Sequence, residues 1–125
     1  MKKLLSLLIL VPGLAFGSGF MSAFEDVPLM EGLYTKPPVI FDTDMMRFVE
    51  QFVAEIEGVR VGRAEFERFY REAMPALGWR VPRASRRNPI PDGTMVFQRE
   101  GEALTIEILD EEPFVARFWV VPVRN

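Results

Sequence analysis

The sequence contains no cysteine and no histidine. Without cysteine, disulfide bonds, thiol nucleophiles and thiolate-bound metal clusters are excluded. Without histidine, the chain lacks the commonest general base and the commonest metal ligand, and a Ser-His-Asp triad cannot form. Glycine-rich loops with the spacing of a phosphate-binding motif are also missing. We therefore predict a protein that is not an enzyme and that carries no cofactor.

The first segment has the layout of an export signal. Two lysines follow the initial methionine, an apolar run spans 4–16, and small residues occupy 17–19. The run is shorter than the roughly 20 residues that a bilayer-spanning helix needs. We predict a signal peptide over residues 1–17, with cleavage as late as residue 23 as an alternative, and a mature protein that is periplasmic or secreted. The competing interpretation is an uncleaved anchor in the inner membrane.

The chain is acidic and has the length of one domain. Its 125 residues carry a formal net charge of −3, which becomes about −5 once Lys2 and Lys3 leave with the signal peptide. An acidic balance argues against binding to nucleic acid or to anionic membranes. We expect the partner to be a protein or another envelope component, with no nucleic acid, and with membrane contact only if the N-terminal segment stays uncleaved.

The middle of the chain begins with an irregular N-terminal arm over residues 18–38. Glycine, proline and scattered apolar residues occur there without a period, and the apolar ones predict that the arm packs onto the domain. A single α+β domain is expected over 39–125. Alternation over 37–44 predicts its first strand. Residues 45–58 fit either a helix or a strand, and their β-branched valines favour the strand.

The clearest helix spans residues 62–78. Its apolar side chains recur at helical spacing and form one stripe. Pro75 and Gly78 end it, and Trp79 is expected to fill the junction with the following strand. The residues to which we assign this structural role are Phe66, Phe69, Tyr70, Met74, Leu77, Gly78 and Trp79.

Three alternating segments follow at 94–99, 103–109 and 114–123, separated by turn residues. Consecutive strands at this spacing predict an antiparallel meander. A helix with one apolar stripe needs a sheet face to pack against. The predicted fold class is therefore α+β, a two-layer sandwich with one main helix packed on a curled antiparallel sheet of about four to five strands.

Four arginines lie close together after the helix, namely Arg80, Arg83, Arg86 and Arg87. Clustered guanidinium groups bind phosphate, sulfate or carboxylate surfaces, and such a cluster stands out in an acidic protein. A solvated loop whose arginines pair with acidic neighbours is the competing interpretation. The group is the best candidate in the sequence for binding an anionic partner.

Asp42 and Asp44 form a weaker candidate at the end of the first predicted strand. Their carboxylates suit a cation site or a pair for acid–base catalysis. A turn in which the aspartates accept backbone hydrogen bonds explains the same spacing and is favoured.

Eight aromatic residues fit either the core or the lining of a small apolar pocket, and core filling is favoured. Trp119 is the doubtful member, because adjacent residues of a strand point to opposite faces. If Phe118 faces the helix, Trp119 lies on an apolar outer face, which we expect the N-terminal arm to cover. The eight residues are Phe66, Phe69, Tyr70, Trp79, Phe97, Phe114, Phe118 and Trp119.

Three motifs resemble a family of small exported proteins of Gram-negative bacteria. They are the arm "FEDVPLMEGL" (24–33), the helix end "EFERFYREAMPALGW" (65–79) and "FQREGE" (97–102). The resemblance covers most of the mature chain. It implies residence in the periplasm and a strand over 45–58, and it supplies no catalytic residues.

The sequence therefore predicts an exported, non-catalytic binding or accessory module of the cell envelope. The alternative is a membrane-proximal structural protein held by an uncleaved N-terminal segment. A less favoured alternative is a carboxylate- or metal-dependent hydrolase that uses Asp42 and Asp44.

Overall fold

The computed structural model describes residues 19–42, 47–83, 86 and 89–122, so the predicted signal peptide lies outside the described residues. No helix in these ranges has the length and apolar composition needed to cross a bilayer. The described chain forms an α+β fold dominated by its sheet. Its elements are β1 (Leu33–Thr35), β2 (Val39–Asp42), β3 (Arg47–Glu55), α1 (Arg63–Ala76), β4 (Thr94–Arg99), β5 (Glu102–Glu111) and β6 (Phe114–Pro122).

The six strands form one open antiparallel sheet in the order β1-β3-β6-β5-β4, with β2 also paired to β3. β1 pairs with residues 53–55 of β3 and β2 with residues 47–50, so the two short strands lie end to end along one edge. The prediction of four to five strands is too low. The sequence places residues 33–35 in the irregular arm, but they join the sheet as β1. Local sequence does not reveal this strand, because its partners lie about 20 positions further along the chain.

The ambiguous segment at 45–58 contains strand β3, so the prediction of a strand is confirmed. β3 lies between the β1–β2 edge and β6, and it pairs with β6 from Val49 to Ala54. The apolar spacing also suited a helix. Pairing on both sides decides between the two, because it hydrogen-bonds the backbone of β3 in the sheet.

The C-terminal meander is confirmed. β4 pairs with β5 from Thr94 to Arg99, and β5 pairs with β6 along nearly its whole length. A register shift between Ile108 and Asp110 marks an irregularity in β5. The outer edge of β4 receives one further bridge, between Arg80 and Gln98.

The predicted helix over 62–78 is confirmed as α1, which begins one residue later and ends two residues earlier than predicted. The Gly62 N–H donates to the Glu65 carboxylate at 3.1 Å, which satisfies one backbone donor at the start. Pro75 occupies the last turn. Gly78 has φ +98°, a left-handed conformation that glycine adopts without strain. The backbone N–H of Trp79 then donates to the Met74 carbonyl at 3.1 Å, which directs the chain towards β4.

The helix contacts β6 through aromatic rings. The ring centroids of Phe66 and Phe114 are 4.8 Å apart, and those of Tyr70 and Phe118 are 5.3 Å apart. Such tilted and edge-on pairs stabilise beyond their buried area. Of the eight aromatic residues considered for the core, six are buried: Phe66, Tyr70, Trp79, Phe97, Phe114 and Phe118.

The arm packs on the same face of the sheet as the helix. The Tyr70 hydroxyl donates to the Pro28 carbonyl at 2.7 Å, and Gln51, whose direct partner in β6 is Phe118, binds Ser22. The expectation that the arm covers Trp119 is therefore wrong, because Trp119 lies on the opposite face. The arm residues in the core are Met21, Phe24, Val27, Leu29 and Leu33.

Candidate functional site

The arginine group is partly described. Arg80, Arg83 and Arg86 are exposed, and Arg87 lies outside the described residues. The backbone of Arg80 is held by two hydrogen bonds of 2.7 Å to Gln98. Within the described ranges, no ion pair shorter than 4.0 Å joins any of the three side chains to a carboxylate. An external anion could therefore approach these three guanidinium groups.

The aspartate pair is only half described. Asp42 is exposed at the end of β2, and Asp44 lies outside the described residues. In the part of the chain that the structure describes, no three acidic side chains come together in a way that could hold a metal ion. The geometry therefore adds nothing to the hypothesis of a cation site at Asp42.

The sheet face opposite the helix carries an ionic stripe beside aromatic rings. Arg117 binds Glu50 at 3.0 Å and Glu107 at 2.8 Å, so its guanidinium joins β3, β6 and β5. The same guanidinium lies 4.0 Å from the ring centre of Trp119, a cation–π contact. The charges of this outer face are therefore partly neutralised, and the residues at its centre are only half-exposed.

Four exposed apolar residues lie together at the β1–β2 edge of the sheet. Nine large apolar side chains are exposed among the described residues, and four of them are Tyr34, Val39, Ile40 and Phe41. All four residues of β2 are exposed. The ring of Phe41 lies 5.6 Å from that of Phe48 on the outer face. The edge and the outer face thus form one continuous surface, which we call the β2 edge.

A cleft of about 560 Å³ separates the arm from the sheet. Trp79 and Arg99 lie on one side of it, with the Arg99 guanidinium 4.1 Å from the ring centre of Trp79. Arg99 hydrogen-bonds Asp26 of the arm and binds Glu102 at 2.8 Å. The apolar part of its wall comes from Ala23, Phe24, Val27, Val49, Val120 and Pro122.

The charges in this arm cleft do not balance. It is lined by the carboxylates of Glu25, Asp26 and Glu102 and by one guanidinium, that of Arg99, which leaves a formal charge of −2. Partial burial lowers the pKa of Arg99, but the hydrogen bonds to Asp26 and Glu102 outweigh it and the pKa is raised overall. Arg99 is therefore a permanent cation held between two carboxylates.

Trp79, which also lines the cleft, carries a polar group without a hydrogen-bond partner. Its side chain is 3% exposed, and its indole N–H has no hydrogen-bond acceptor among the described residues. A buried donor without an acceptor costs about 1–3 kcal/mol. The sequence predicts that Trp79 fills the junction between the helix and the following strand, and the structure shows that it also lines the cleft.

Sequence reasoning missed the arm cleft because its residues come from three distant segments. Asp26 lies in the arm, Trp79 follows the helix, and Arg99 and Glu102 flank the β4–β5 turn. Each segment belongs to one of the three motifs quoted in the sequence analysis, at 24–33, 65–79 and 97–102. Nothing in their spacing shows that they meet.

Comparison with known proteins gives no relative, since no protein-family model, no curated protein and no solved structure matches this chain.

Proposed function

We propose that this chain is an exported, non-catalytic binding module of the cell envelope, built as a two-layer sandwich. The absence of histidine and cysteine supports the lack of catalysis, and the layout of residues 1–17 supports export. The observation that carries the binding role is the β2 edge, where consecutive apolar residues of an edge strand are all exposed.

The β2 edge fits the addition of a partner strand. An edge strand presents backbone N–H and C=O groups that have no partner on its outer side, and natural proteins protect such edges with charges, prolines or covering segments. Here Pro37 and Pro38 interrupt the edge between β1 and β2, but Val39, Ile40 and Phe41 bear no charge. A partner strand is therefore limited to the length of β2.

The partner that we propose is an extended segment of another protein with apolar side chains. Backbone hydrogen bonds would supply affinity, and alternate side chains would contact Phe41 on one face and Ile40 on the other. Phe41 and Ile40 are each 53% exposed, so both are accessible before binding. The half-exposed outer face beyond Phe48 would extend the contact.

The test places a photo-crosslinking residue at Ile40, with a matched control at Leu109, which is 46% exposed on β5. We expect position 40 to crosslink to one extended segment of another envelope protein, identified by mass spectrometry, and position 109 to give no such product. The substitution Phe41→Lys should abolish the product while changing stability by less than about 0.5 kcal/mol. Equal yields from both positions would refute the proposal, and crosslinks confined to two copies of this chain would refute a foreign partner.

The exposed arginines support a second site, for an anionic partner. Arg80, Arg83 and Arg86 have no carboxylate within 4.0 Å in the described ranges, which favours contact with an external anion over pairing within the loop. The double variant Arg83→Glu, Arg86→Glu should prevent capture by an anionic resin at low salt. Arg68→Glu, Arg71→Glu on the exposed side of α1 is the matched control. Unchanged capture of the loop variant would remove these arginines as a site.

Two measurements distinguish the proposed binding module from the anchored structural protein and from the metal-dependent hydrolase. The intact mass of the protein from a periplasmic fraction should lack residues 1–17, whereas an anchored structural protein would retain them. Divalent cations should leave the melting temperature unchanged. A hydrolase that binds a metal through Asp42 would instead be stabilised, by about 2.7 kcal/mol at 100 times the dissociation constant.

A further inference from the structure

We propose that the segment added at the β2 edge runs antiparallel to β2, with an aromatic residue beside Phe41 followed by an aliphatic residue opposite Ile40. This partner rests on the strand addition proposed above and gives it a direction, a register and a side-chain pattern. Three features of the edge carry it: the backbone groups that point outward, the direction of pairing in the sheet, and the rows of side chains that cross it.

The hydrogen bonds of β3 show which backbone groups of β2 point outward. On the side of β1 and β2, the carbonyl of Phe52 accepts from the Lys36 N–H at 2.9 Å. Residues of one strand alternate in the side to which their backbone groups point, so Phe48 also bonds towards this edge, to its partner Phe41. Ile40 therefore directs its N–H and its carbonyl away from β3, where no strand among the described residues pairs with it.

The direction of the segment follows from this single outward residue. In an antiparallel pair, one residue of the segment exchanges both hydrogen bonds with Ile40, whereas a parallel pair divides them between two residues and is slightly less stable. Every pair of described strands in this sheet is antiparallel. Pro38, two positions before Ile40, has no N–H to donate. The donors on this edge are therefore those of Ile40 and Asp42.

The rows of side chains across the sheet specify the residues of the segment. On the outer face, Phe41 lies beside Phe48, and an aromatic residue opposite Phe41 would continue that row. On the inner face, Ile40 lies beside Val49, which pairs with Val120 of β6. A β-branched aliphatic residue opposite Ile40 would continue this second row. In an antiparallel segment the aromatic residue comes directly before the aliphatic one.

A second copy of β2 does not meet these requirements. With Ile40 opposite Ile40, Val39 stands beside Phe41 and Pro38 stands opposite Asp42, so the outer row gains no aromatic ring and one backbone donor is missing. With Phe41 opposite Phe41, Asp42 stands opposite Ile40 and brings a charge into the aliphatic inner row. The segment that fits this edge therefore comes from another protein.

The test measures the affinity of fluorescent peptides with blocked ends by anisotropy. The probe Thr-Phe-Val-Thr-Thr places its phenylalanine beside Phe41 and its valine opposite Ile40. We expect methylation of the valine nitrogen to weaken binding at least about tenfold, because it removes the N–H that donates to the Ile40 carbonyl. Methylation of the phenylalanine nitrogen, whose N–H points away from β2, should change the affinity less than about threefold.

Two further probes and two variants test direction, side chains and location. The reversed probe, Thr-Thr-Val-Phe-Thr, should bind several-fold more weakly, whereas in a parallel pair it would bind more tightly. Leucine in place of the phenylalanine should also weaken binding several-fold. Phe41→Lys should abolish binding of the first probe. Leu109→Lys, at an exposed position on β5, is the matched control and should leave it unchanged.

The outcomes separate this inference from the proposed function. Equal effects of the two methylations, a reversed probe that binds as tightly, or no binding of the first probe at millimolar concentration would each overturn the inferred partner. If position 40 still crosslinked to a segment of different composition, strand addition itself would stand. Absence of both peptide binding and crosslinking would refute the strand addition together with the partner derived from it.

Discussion

Replacing Tyr70 by phenylalanine should weaken the attachment of the N-terminal arm to the helix and lower the stability of the protein. The Tyr70 side chain is fully buried, and its hydroxyl donates to the Pro28 carbonyl at 2.7 Å and accepts from the Met30 N–H at 3.2 Å. The substitution removes both hydrogen bonds and leaves the two backbone groups without their side-chain partner. Since each hydrogen bond contributes about 0.5–1.5 kcal/mol, the expected loss is about 1–3 kcal/mol.

Urea unfolding of wild type and Tyr70→Phe measures this loss directly. A loss of about 2 kcal/mol would also lower the melting temperature by roughly 8 °C or more for a domain of this size. Tyr34→Phe is the matched control, because Tyr34 is 46% exposed and its change should stay within about 0.5 kcal/mol. If the two variants were equally stable, the hydroxyl would not be holding the arm.

The pH dependence of the same variant gives an independent check. Burial raises the pKa of Tyr70 well above its ordinary value near 10, and the hydrogen bond from Met30 only partly opposes this shift. The contribution of the protonated Tyr70 side chain to the stability of the folded protein is complete below pH 10. It is lost as the pH rises further, because the unfolded chain ionises there while the folded phenol stays protonated.

Above pH 10 the stability difference between wild type and Tyr70→Phe should shrink by up to about 1.4 kcal/mol per pH unit. Groups present in both proteins cancel in this difference. A difference that stayed constant from pH 8 to pH 11 would contradict the inferred burial of the phenol.

Two further predictions concern buried polar groups. Trp79→Ala should cost about 3–5 kcal/mol in urea unfolding, because a side chain only 3% exposed is removed from the core. Trp79→Phe should cost clearly less, since both variants remove the unpaired N–H but only phenylalanine keeps an aromatic ring in the core; equal costs would show that the ring contributes no packing there. Gln51→Leu should cost about 1–3 kcal/mol, because the fully buried Gln51 binds the Ala23 N–H at 3.1 Å and the Lys36 carbonyl at 2.7 Å. A neutral Gln51→Leu would refute the role of the amide in holding the arm.

The elements with strong local signals could be predicted from the sequence. The helix over 62–78 is specified by one apolar stripe and by Gly78, whose left-handed conformation needs no tertiary contact. The meander is specified by alternation and turn residues in a continuous stretch. In each case the residues that decide the structure lie within a few positions of one another.

The elements that depend on distant partners could not be predicted in the same way. β1 becomes a strand because Leu33–Thr35 meets the end of β3, and no local pattern marks it. The arm is hydrogen-bonded to Gln51, a polar residue on the buried face of β3. A pattern of apolar residues alone assigns such a glutamine to the solvent side, so this contact between the arm and β3 leaves no signal in the sequence.

The candidate sites divide in the same way. The arginine group is a cluster in sequence, so it was visible before the fold was known. The arm cleft is a cluster only in space, since Asp26 and Arg99 are 73 positions apart. Electrostatic pairs of that kind leave no signal in spacing or composition. The unbalanced charge of the cleft appears only when its three segments are placed together.

The arm also bears on where export processing occurs. Met21 is 2% exposed in the core, and the Ser22 hydroxyl accepts a hydrogen bond of 2.8 Å from Gln51. Cleavage after residue 23 would remove both, leaving a cavity and an unsatisfied amide beside the arm cleft. We therefore predict cleavage at or before residue 19, so that the mature chain begins no later than Phe20. Intact mass of the exported protein measures this directly, and a chain that began at Phe24 and was as stable as one that began at Ser18 would refute the role of Met21 and Ser22 in closing the core.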